Sequence, residues 1–151
     1  MLSTLVGLGI IAFSFVSCEE ETATNKNLQV EGIYIVNEGN FLESNGSITL
    51  LNPETGDKID NYFNRQNGRF PGDVVQDLAF AGDKGFIVVN NSKRVEVVDK
   101  DNFSELDVIP QLSYPRQFMQ VNNNYGYLTN GSSADSTNGH VFKIDLDNHT
   151  I

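Results

Sequence analysis

An internal repeat is the feature that most constrains the fold of this chain. Three similar segments, GIYIVNEG, GFIVVNNS and GYLTNGSS, open at Gly32, Gly85 and Gly126. Each is followed by a second segment of alternating residues: SITLLNPETG, VEVVDKDN and VFKIDLDN. The openings are about 40 to 50 residues apart, and a repeat of this length with about four strands per unit is typical of β-propeller blades.

The strands of each predicted blade are labelled A to D from the propeller axis outward. The second blade is complete, and its four strands are predicted at Gln76–Phe80, Gly85–Val89, Arg94–Val98 and Glu105–Ile109. The first blade has strands B, C and D, predicted at Gly32–Val36, Ser47–Leu51 and Lys58–Phe63, and the third has strands A, B and C from Gln117 onward. No segment has a helical period. We therefore predict an all-β chain that forms about two and a half blades of a β-propeller. Because closed propellers need at least four blades, we expect it to be a fragment of a longer protein.

The start of the chain has a different character. Residues 1–17 carry no charge and contain an apolar run, Leu5 to Val16, of the length of a signal-peptide core. The run leads to Cys18, the only cysteine, and three glutamates follow it. A buried structural thiol is the alternative, but three adjacent acids are poorly suited to a core. The segment Phe15–Cys18 resembles a lipobox, in which the cysteine is lipidated and becomes the mature N-terminus.

The acidic run after the cysteine predicts where the protein is located. Cys18–Glu21 resembles the export signal that sends some lipoproteins to the outer face of the outer membrane. An anchor with two acyl chains gives stable membrane attachment. We therefore predict a signal peptide at 1–17, a lipidated cysteine with an acidic and polar tether at 18–31, and a partial β-propeller domain at 32–151.

The loop lengths predict one binding face. In a propeller the B–C and D–A connections lie at one end of the blades, and the A–B and C–D turns lie at the other. The longer connections all fall at the first end: NEGNFLESNG, YFNRQNGRFPGDVV, PQLSYPRQ and NGSSADSTNG. Long loops usually serve binding. The polar and aromatic residues of these loops suit a large polar ligand. The predicted ligand-binding residues are Glu38, Asn40 and Phe41 in the first B–C loop, Arg69, Phe70, Asp73 and Gln76 in the first D–A loop, and Tyr114, Arg116 and Gln117 in the second D–A loop.

A structural role is the alternative for six of these residues. Asp73, Gln76 and Gln117 would then only satisfy backbone groups near the propeller axis. The three aromatic candidates would only pack against their own loops.

Charge and composition exclude several kinds of chemistry. Lys and Arg total 10 and Asp and Glu total 20, so the net charge of −10 opposes binding to a nucleic-acid backbone. His140 and His149 are predicted to be surface histidines, since no zinc-ligand spacing is present. The segments Asp99–Asp101 and Asp145–Asp147 depart from the calcium-loop pattern and are predicted to be C–D turns. We predict no catalytic residues, no metal and no cofactor.

The segment "YIVNEGNF…SNGSITLLNPETGDKIDNYF…NGRFPGDVVQDLAF" is similar to the N-terminal blades of YncE-like β-propeller surface lipoproteins. Some proteins of this kind resemble seven-bladed propellers that capture cobalamin and pass it to a TonB-dependent outer-membrane transporter. The resemblance implies a seven-bladed, non-catalytic protein that holds cobalamin, another corrinoid or another large polar ligand on the loop face. Two alternatives remain open: a propeller enzyme of the lactonase or quinoprotein type, and a surface module for protein interaction or adhesion.

Overall fold

The computed structural model describes residues 32–132 and 138–151. The predicted signal peptide at 1–17, the tether at 18–31 and the predicted lipidation site Cys18 lie outside the described residues. Residues 133–137 of the last long loop also lie outside them.

The described residues form three antiparallel sheets in chain order. Sheet 1 contains β1 (Ile33–Asn37), β2 (Ser47–Leu51) and β3 (Lys58–Ile59). Sheet 2 contains β4 (Val75–Ala81), β5 (Lys84–Val89), β6 (Arg94–Asp99) and β7 (Glu105–Ile109). Sheet 3 contains β8 (Tyr114–Gln120), β9 (Tyr125–Gly131) and β10 (His140–Asp145). Within each sheet, every strand pairs with the next strand in the chain, which confirms the all-β prediction. The arrangement is that of a propeller-like fragment, and the described residues form no closed barrel.

One predicted strand was wrong. The sequence predicted a D strand from Lys58 to Phe63, but β3 ends at Ile59 and a short helix, α1, follows at Tyr62–Asn67. Tyr62 and Phe63 are both buried, at 4% and 0% exposure. Adjacent residues of a strand point to opposite faces, so an outer strand could not bury both rings in one core, whereas a helical turn can. Asn61 starts the turn in the left-handed conformation, and Gly68 ends the helix in the same conformation.

Sheet 2 is packed between the other two sheets. One apolar cluster joins it to sheet 1 and includes Leu50, Phe63 and Val89. A second cluster joins it to sheet 3, where the rings of Phe86 and Phe118 stack at 4.5 Å. Because both faces of sheet 2 are covered, its central strand β5 is almost wholly apolar and buried.

The outer faces of sheets 1 and 3 are exposed, and they are partly apolar. On sheet 1, Ile33 and Ile35 are 52% and 41% exposed. On sheet 3, Met119 and Val141 are each 64% exposed. Their apolar composition is the one expected of faces that pack against further sheets.

The C–D turns share one conformation. Their first residues are Asn52, Asp99 and Asp145, and each side chain accepts hydrogen bonds from the backbone N–H groups two and three residues later. The fifth residues are Gly56, Phe103 and His149, and each has a positive φ. These segments are turns, as predicted.

The fifth residue of the turn reaches the sheet that precedes its own. The ring of Phe103 stacks on Tyr34 of sheet 1 at 5.0 Å. His149 places its ring 6.3 Å from Phe86, and its Nδ1 is 2.9 Å from a carboxylate oxygen of Asp107 on β7. The surface prediction is therefore correct for His140, which is exposed, and wrong for His149, whose side chain is only 11% exposed.

Candidate ligand-binding face

The connections at one end of the three sheets form a continuous hydrogen-bonded surface, called here the long-loop face. It comprises residues 38–46, 68–74, 90–93 and 110–113 and the start of the loop after β9. The carboxylate of Asp73 accepts the backbone N–H of Leu42 and the side-chain amide of Asn91, so it joins three connections. The backbone N–H of Leu112 donates to the carbonyl of Lys93 at 3.1 Å. Three of the four predicted long connections therefore lie together at one end, and the fourth, at 130–139, lies partly outside the described residues.

Asp73 organises the loops from within. It is only 5% exposed, its two oxygens lie 3.1 and 2.9 Å from the Leu42 nitrogen, and its own N–H donates to the hydroxyl of Ser92 at 2.9 Å. The adjacent Gly72 has a φ of 140°, and a Cβ there would lie 2.4 Å from the same hydroxyl oxygen. Both carboxylate oxygens are engaged by the loops, which matches the structural alternative for this residue.

Arg69 is engaged in an ion-pair network around the buried carboxylate of Glu96. Its guanidinium donates to both carboxylate oxygens of Glu96, at 3.0 and 2.7 Å, and also pairs with Glu105. Arg94 also donates to Glu96, at 2.6 Å. The hydrogen bonds that Arg69 donates to Glu96 raise the pKa of its guanidinium above the ordinary value. The guanidinium also lies over the ring of Phe63 at 5.1 Å. Its partners hold the loop to sheet 2, so the structure gives Arg69 a positioning role at the predicted face.

Two of the three predicted aromatic residues are exposed. Phe41 is 68% exposed and Phe70 is 40% exposed, so neither is packed away in its own loop. The sequence missed Leu42, which stands beside Phe41 and is 73% exposed. Tyr114 is half-buried, and the Lys93 ammonium covers its ring at 5.5 Å.

The polar residues of the first loop are divided between backbone and side-chain contacts. The carbonyl of Glu38 accepts the N–H of Val75 at 3.2 Å, and the Glu38 side chain is exposed. The side-chain amide of Asn40 donates to Glu43 at 2.9 Å, and its backbone N–H donates to the side-chain oxygen of Asn45 at 2.7 Å. These bonds brace the loop from inside and leave Glu38 facing solvent.

Two predicted loop residues, Tyr114 and Arg116, lie in a strand, and the prediction is corrected on this point. Gln76 and Gln117, although counted with the loops, were also predicted to begin A strands, and both lie in strands. Gln76 belongs to β4, and Arg116 and Gln117 belong to β8, which already begins at Tyr114. Pro115 favoured a loop at this point of the sequence, but a proline is tolerated near the start of a strand. Gln76 and Arg116 are brought together, since the Arg116 Nη1 donates to the Gln76 Oε1 at 3.3 Å. The side chain of Gln117 is exposed beside them.

Backbone strain is concentrated at the long-loop face. Non-glycine residues with φ between 52° and 70° occur in all its main connections: Leu42, Ser44, Val74, Lys93 and Gln111. This conformation costs an L-residue about 1 to 2 kcal/mol, and Val74 is also β-branched, for which it is least favourable. Strained residues of this kind tend to occur at ligand clamps and active sites.

The opposite end of the sheets carries a small cavity. Its volume is about 120 Å³, and its lining includes Asp83, Gln120 and Asp147. That volume corresponds to about four water molecules, so it does not suit a large ligand. Across 32–132 and 138–151, no group of three or more His, Cys, Asp or Glu residues is placed to hold a metal ion. Within the same ranges, no helix is long and apolar enough to cross a bilayer.

The fold and the face together define an all-β repeat protein of propeller-like architecture. The sequence profile of one family, described as "Domain of unknown function (DUF5074)", matches residues 31–151, and the chain belongs to this family. No curated protein matches the chain. The matched range covers all three sheets and the long-loop face.

Proposed function

We propose that this protein is a non-catalytic, surface-anchored binding protein that holds a large polar ligand on its long-loop face. The observation that carries the proposal is the combination of a braced, strained loop surface with exposed aromatic side chains. Asp73 fixes the first loop, and that loop presents Phe41 and Leu42 to solvent. A loop that is fixed before binding loses little conformational entropy when a ligand arrives.

The proposed ligand is cobalamin or another corrinoid, and the proposed partner is a TonB-dependent transporter. Support comes from the resemblance of residues 34–80 to YncE-like surface lipoproteins. A corrinoid presents flat apolar surface and many amides, which suits the ring of Phe70 and the polar side chains nearby. Further blades of the proposed seven would contribute the remainder of such a site.

The proposed anchor is a diacyl group on Cys18, which would place the domain at the outer surface of the outer membrane. Cys18→Ser should remove lipid attachment. Labelling cells with a tritiated palmitate and fractionating their membranes would test this. Labelled protein in the Ser variant, at the level of the wild type, would contradict lipidation at Cys18.

The experiment for the ligand is a calorimetric titration of the full chain with cyanocobalamin. Phe41→Ala and Phe70→Ala should each weaken binding about tenfold or more, since burial of an aromatic ring contributes at least 1.4 kcal/mol. Val121→Ala is the matched control, because Val121 is also an exposed apolar residue, at 45%, but lies at the opposite end of the sheets.

Binding of wild type with the expected loss in both aromatic variants would support the proposal. Absence of heat with a folded all-β circular dichroism spectrum would reject the corrinoid ligand. An equal loss in the Val121 variant would reject the long-loop face as the site.

A protein-interaction module is the second candidate. The specific observation in its favour is the exposure of two adjacent apolar side chains, Phe41 and Leu42, on one braced loop tip. Such a tip resembles an anchor that inserts into a pocket of a partner. Loss of transporter binding in Leu42→Ala, with cyanocobalamin affinity unchanged, would favour this role.

A further inference from the structure

Strands β4 and β8 carry a β-bulge at the same position of their sheets. In sheet 2 the pairing of β4 with β5 shifts between Val75 and Asp77, which leaves Gln76 as the extra residue. In sheet 3 the pairing of β8 with β9 shifts between Pro115 and Gln117, which leaves Arg116 as the extra residue. A bulge re-aims the side chain of its extra residue, and bulges are over-represented beside functional sites.

The two bulges meet where the first strands of neighbouring sheets lie side by side. The carboxylate of Asp77 accepts the backbone N–H of Phe118 at 2.9 Å, which fixes β4 beside β8. At the bulges themselves, Arg116 donates to the side-chain oxygen of Gln76 at 3.3 Å. The pair therefore lies where the first strands of two sheets enter from the long-loop face.

The charge of Arg116 is not neutralised by this contact. Arg69 and Arg94 both pair with the buried Glu96, but within the described residues no carboxylate forms an ion pair with Arg116. Gln76 is a neutral acceptor, so it orients the guanidinium and leaves its other N–H groups free to donate. A guanidinium in this state recognises carboxylate and phosphate groups through paired hydrogen bonds.

We infer that Arg116, oriented by Gln76, binds an anionic group, a carboxylate or a phosphate, of the ligand held on the long-loop face. This inference rests on the proposed binding function and adds a charge requirement to it. Cobalamin carries one phosphodiester, which would meet this requirement, but the inference does not depend on a corrinoid.

The first test uses small anions and does not require the ligand to be known. The Nε–Hε signals of the arginines would be followed by NMR in the full chain while sodium phosphate, and separately sodium acetate, replaces sodium chloride at constant ionic strength. Arg65 is the matched control, since it is an exposed arginine whose Nε donates to the carbonyl of Asp60.

The Arg116 signal should shift and saturate with at least one anion, while the Arg65 signal moves little. Saturation with phosphate alone would identify a phosphate site, and saturation with acetate alone would identify a carboxylate site. In Gln76→Leu the same shift should need several-fold more anion, because the guanidinium loses its orienting contact. Equal, non-saturating shifts at Arg116 and Arg65 would overturn the inference.

The second test separates this inference from the corrinoid proposal. Arg116→Gln should lower the affinity for cyanocobalamin about tenfold, since a charge-assisted hydrogen bond is lost. The same variant should leave the affinity for dicyanocobinamide, which lacks the phosphodiester, unchanged. An equal loss for both corrinoids would overturn the role of Arg116 while preserving the binding function. Absence of binding to either corrinoid would reject the proposed ligand, and the anion titration would still decide the role of Arg116.

Discussion

Replacement of Glu96 by glutamine tests whether the buried ion-pair network stabilises the fold. Glu96 is completely buried on β6 and receives three hydrogen bonds from two arginines. In Glu96→Gln the side-chain shape is kept, but the charge is lost and an amide N–H group now faces the guanidinium donors. The change therefore removes the charge-assisted contacts with little change in packing.

The expected cost follows from the burial of each partner. Breaking a fully buried ion pair costs about 3 to 5 kcal/mol, because it leaves an unpaired charge without water. The side chains of Arg69 and Arg94 are 38% and 31% exposed, so each freed guanidinium can be rehydrated in part. We therefore expect the free energy of unfolding to fall by about 2 to 3 kcal/mol, which is less than the cost of breaking a fully buried pair.

The assay is thermal unfolding followed by circular dichroism, with urea unfolding as a second measure. A loss of this size lowers the melting temperature by roughly 5 to 10 °C in a domain of this length. Glu105→Gln is the matched control, because Glu105 pairs with the same arginine but its side chain is 37% exposed. Removal of an exposed pair costs at most about 1 kcal/mol. Equal melting temperatures for the two variants would refute the argument that burial determines the contribution of these charges.

Three further predictions concern the loops and the contact between sheets 2 and 3. Gly72→Ala should lower the free energy of unfolding, measured in urea, far more than Gly56→Ala. Both glycines have positive φ, but only a Cβ at Gly72 would meet a neighbouring atom. Equal losses of unfolding free energy in the two variants would contradict this. Asp73→Asn should speed proteolysis within residues 38–46 while the melting temperature changes little, because a neutral amide holds the loop N–H groups less strongly; an unchanged cleavage rate would refute this. The hydrogen bond from His149 lowers the pKa of Asp107. The ionised carboxylate therefore stabilises the fold above about pH 4, and this stabilisation is lost as the pH falls through the lowered pKa. Asp107→Asn should therefore melt below wild type at pH 6 and approach it near pH 2, and a difference that persists at pH 2 would contradict the assignment.

The strands could be predicted where alternation and turn residues coincide. The bounds Ser47–Leu51 and Glu105–Ile109 agree with the structure because each run is flanked by residues that favour turns. The segment Lys58–Phe63 misled the prediction, because six residues are too few to show a helical period. Burial of two adjacent rings decided the conformation there, and that is a tertiary effect.

The candidate site could be predicted less completely. Loop lengths alone predict which end of the sheets carries the long loops. Whether a loop side chain is exposed or paired depends on partners that are distant in the sequence. Arg69 is an example, since its partner Glu96 stands 27 positions later on another strand. A glutamate inside the apolar run Arg94–Val98 was the available signal, because a buried charge requires a partner. The bulges at Gln76 and Arg116 left no signal, since nothing in their residue types distinguishes a bulge from a regular strand.

The shared conformation of the C–D turns has a consequence for how such repeats can diverge. The backbone of the turn is held by its own hydrogen bonds, so the fifth residue is free to vary from Gly56 to Phe103 to His149. In sheets 2 and 3 this position thus sets whether the joint with the preceding sheet receives an aromatic ring or an ionisable group. A single codon change at this position could retune the stiffness or acid sensitivity of one joint and leave the rest of the scaffold intact. Repeated units that share this turn backbone could in this way acquire joints of different stiffness.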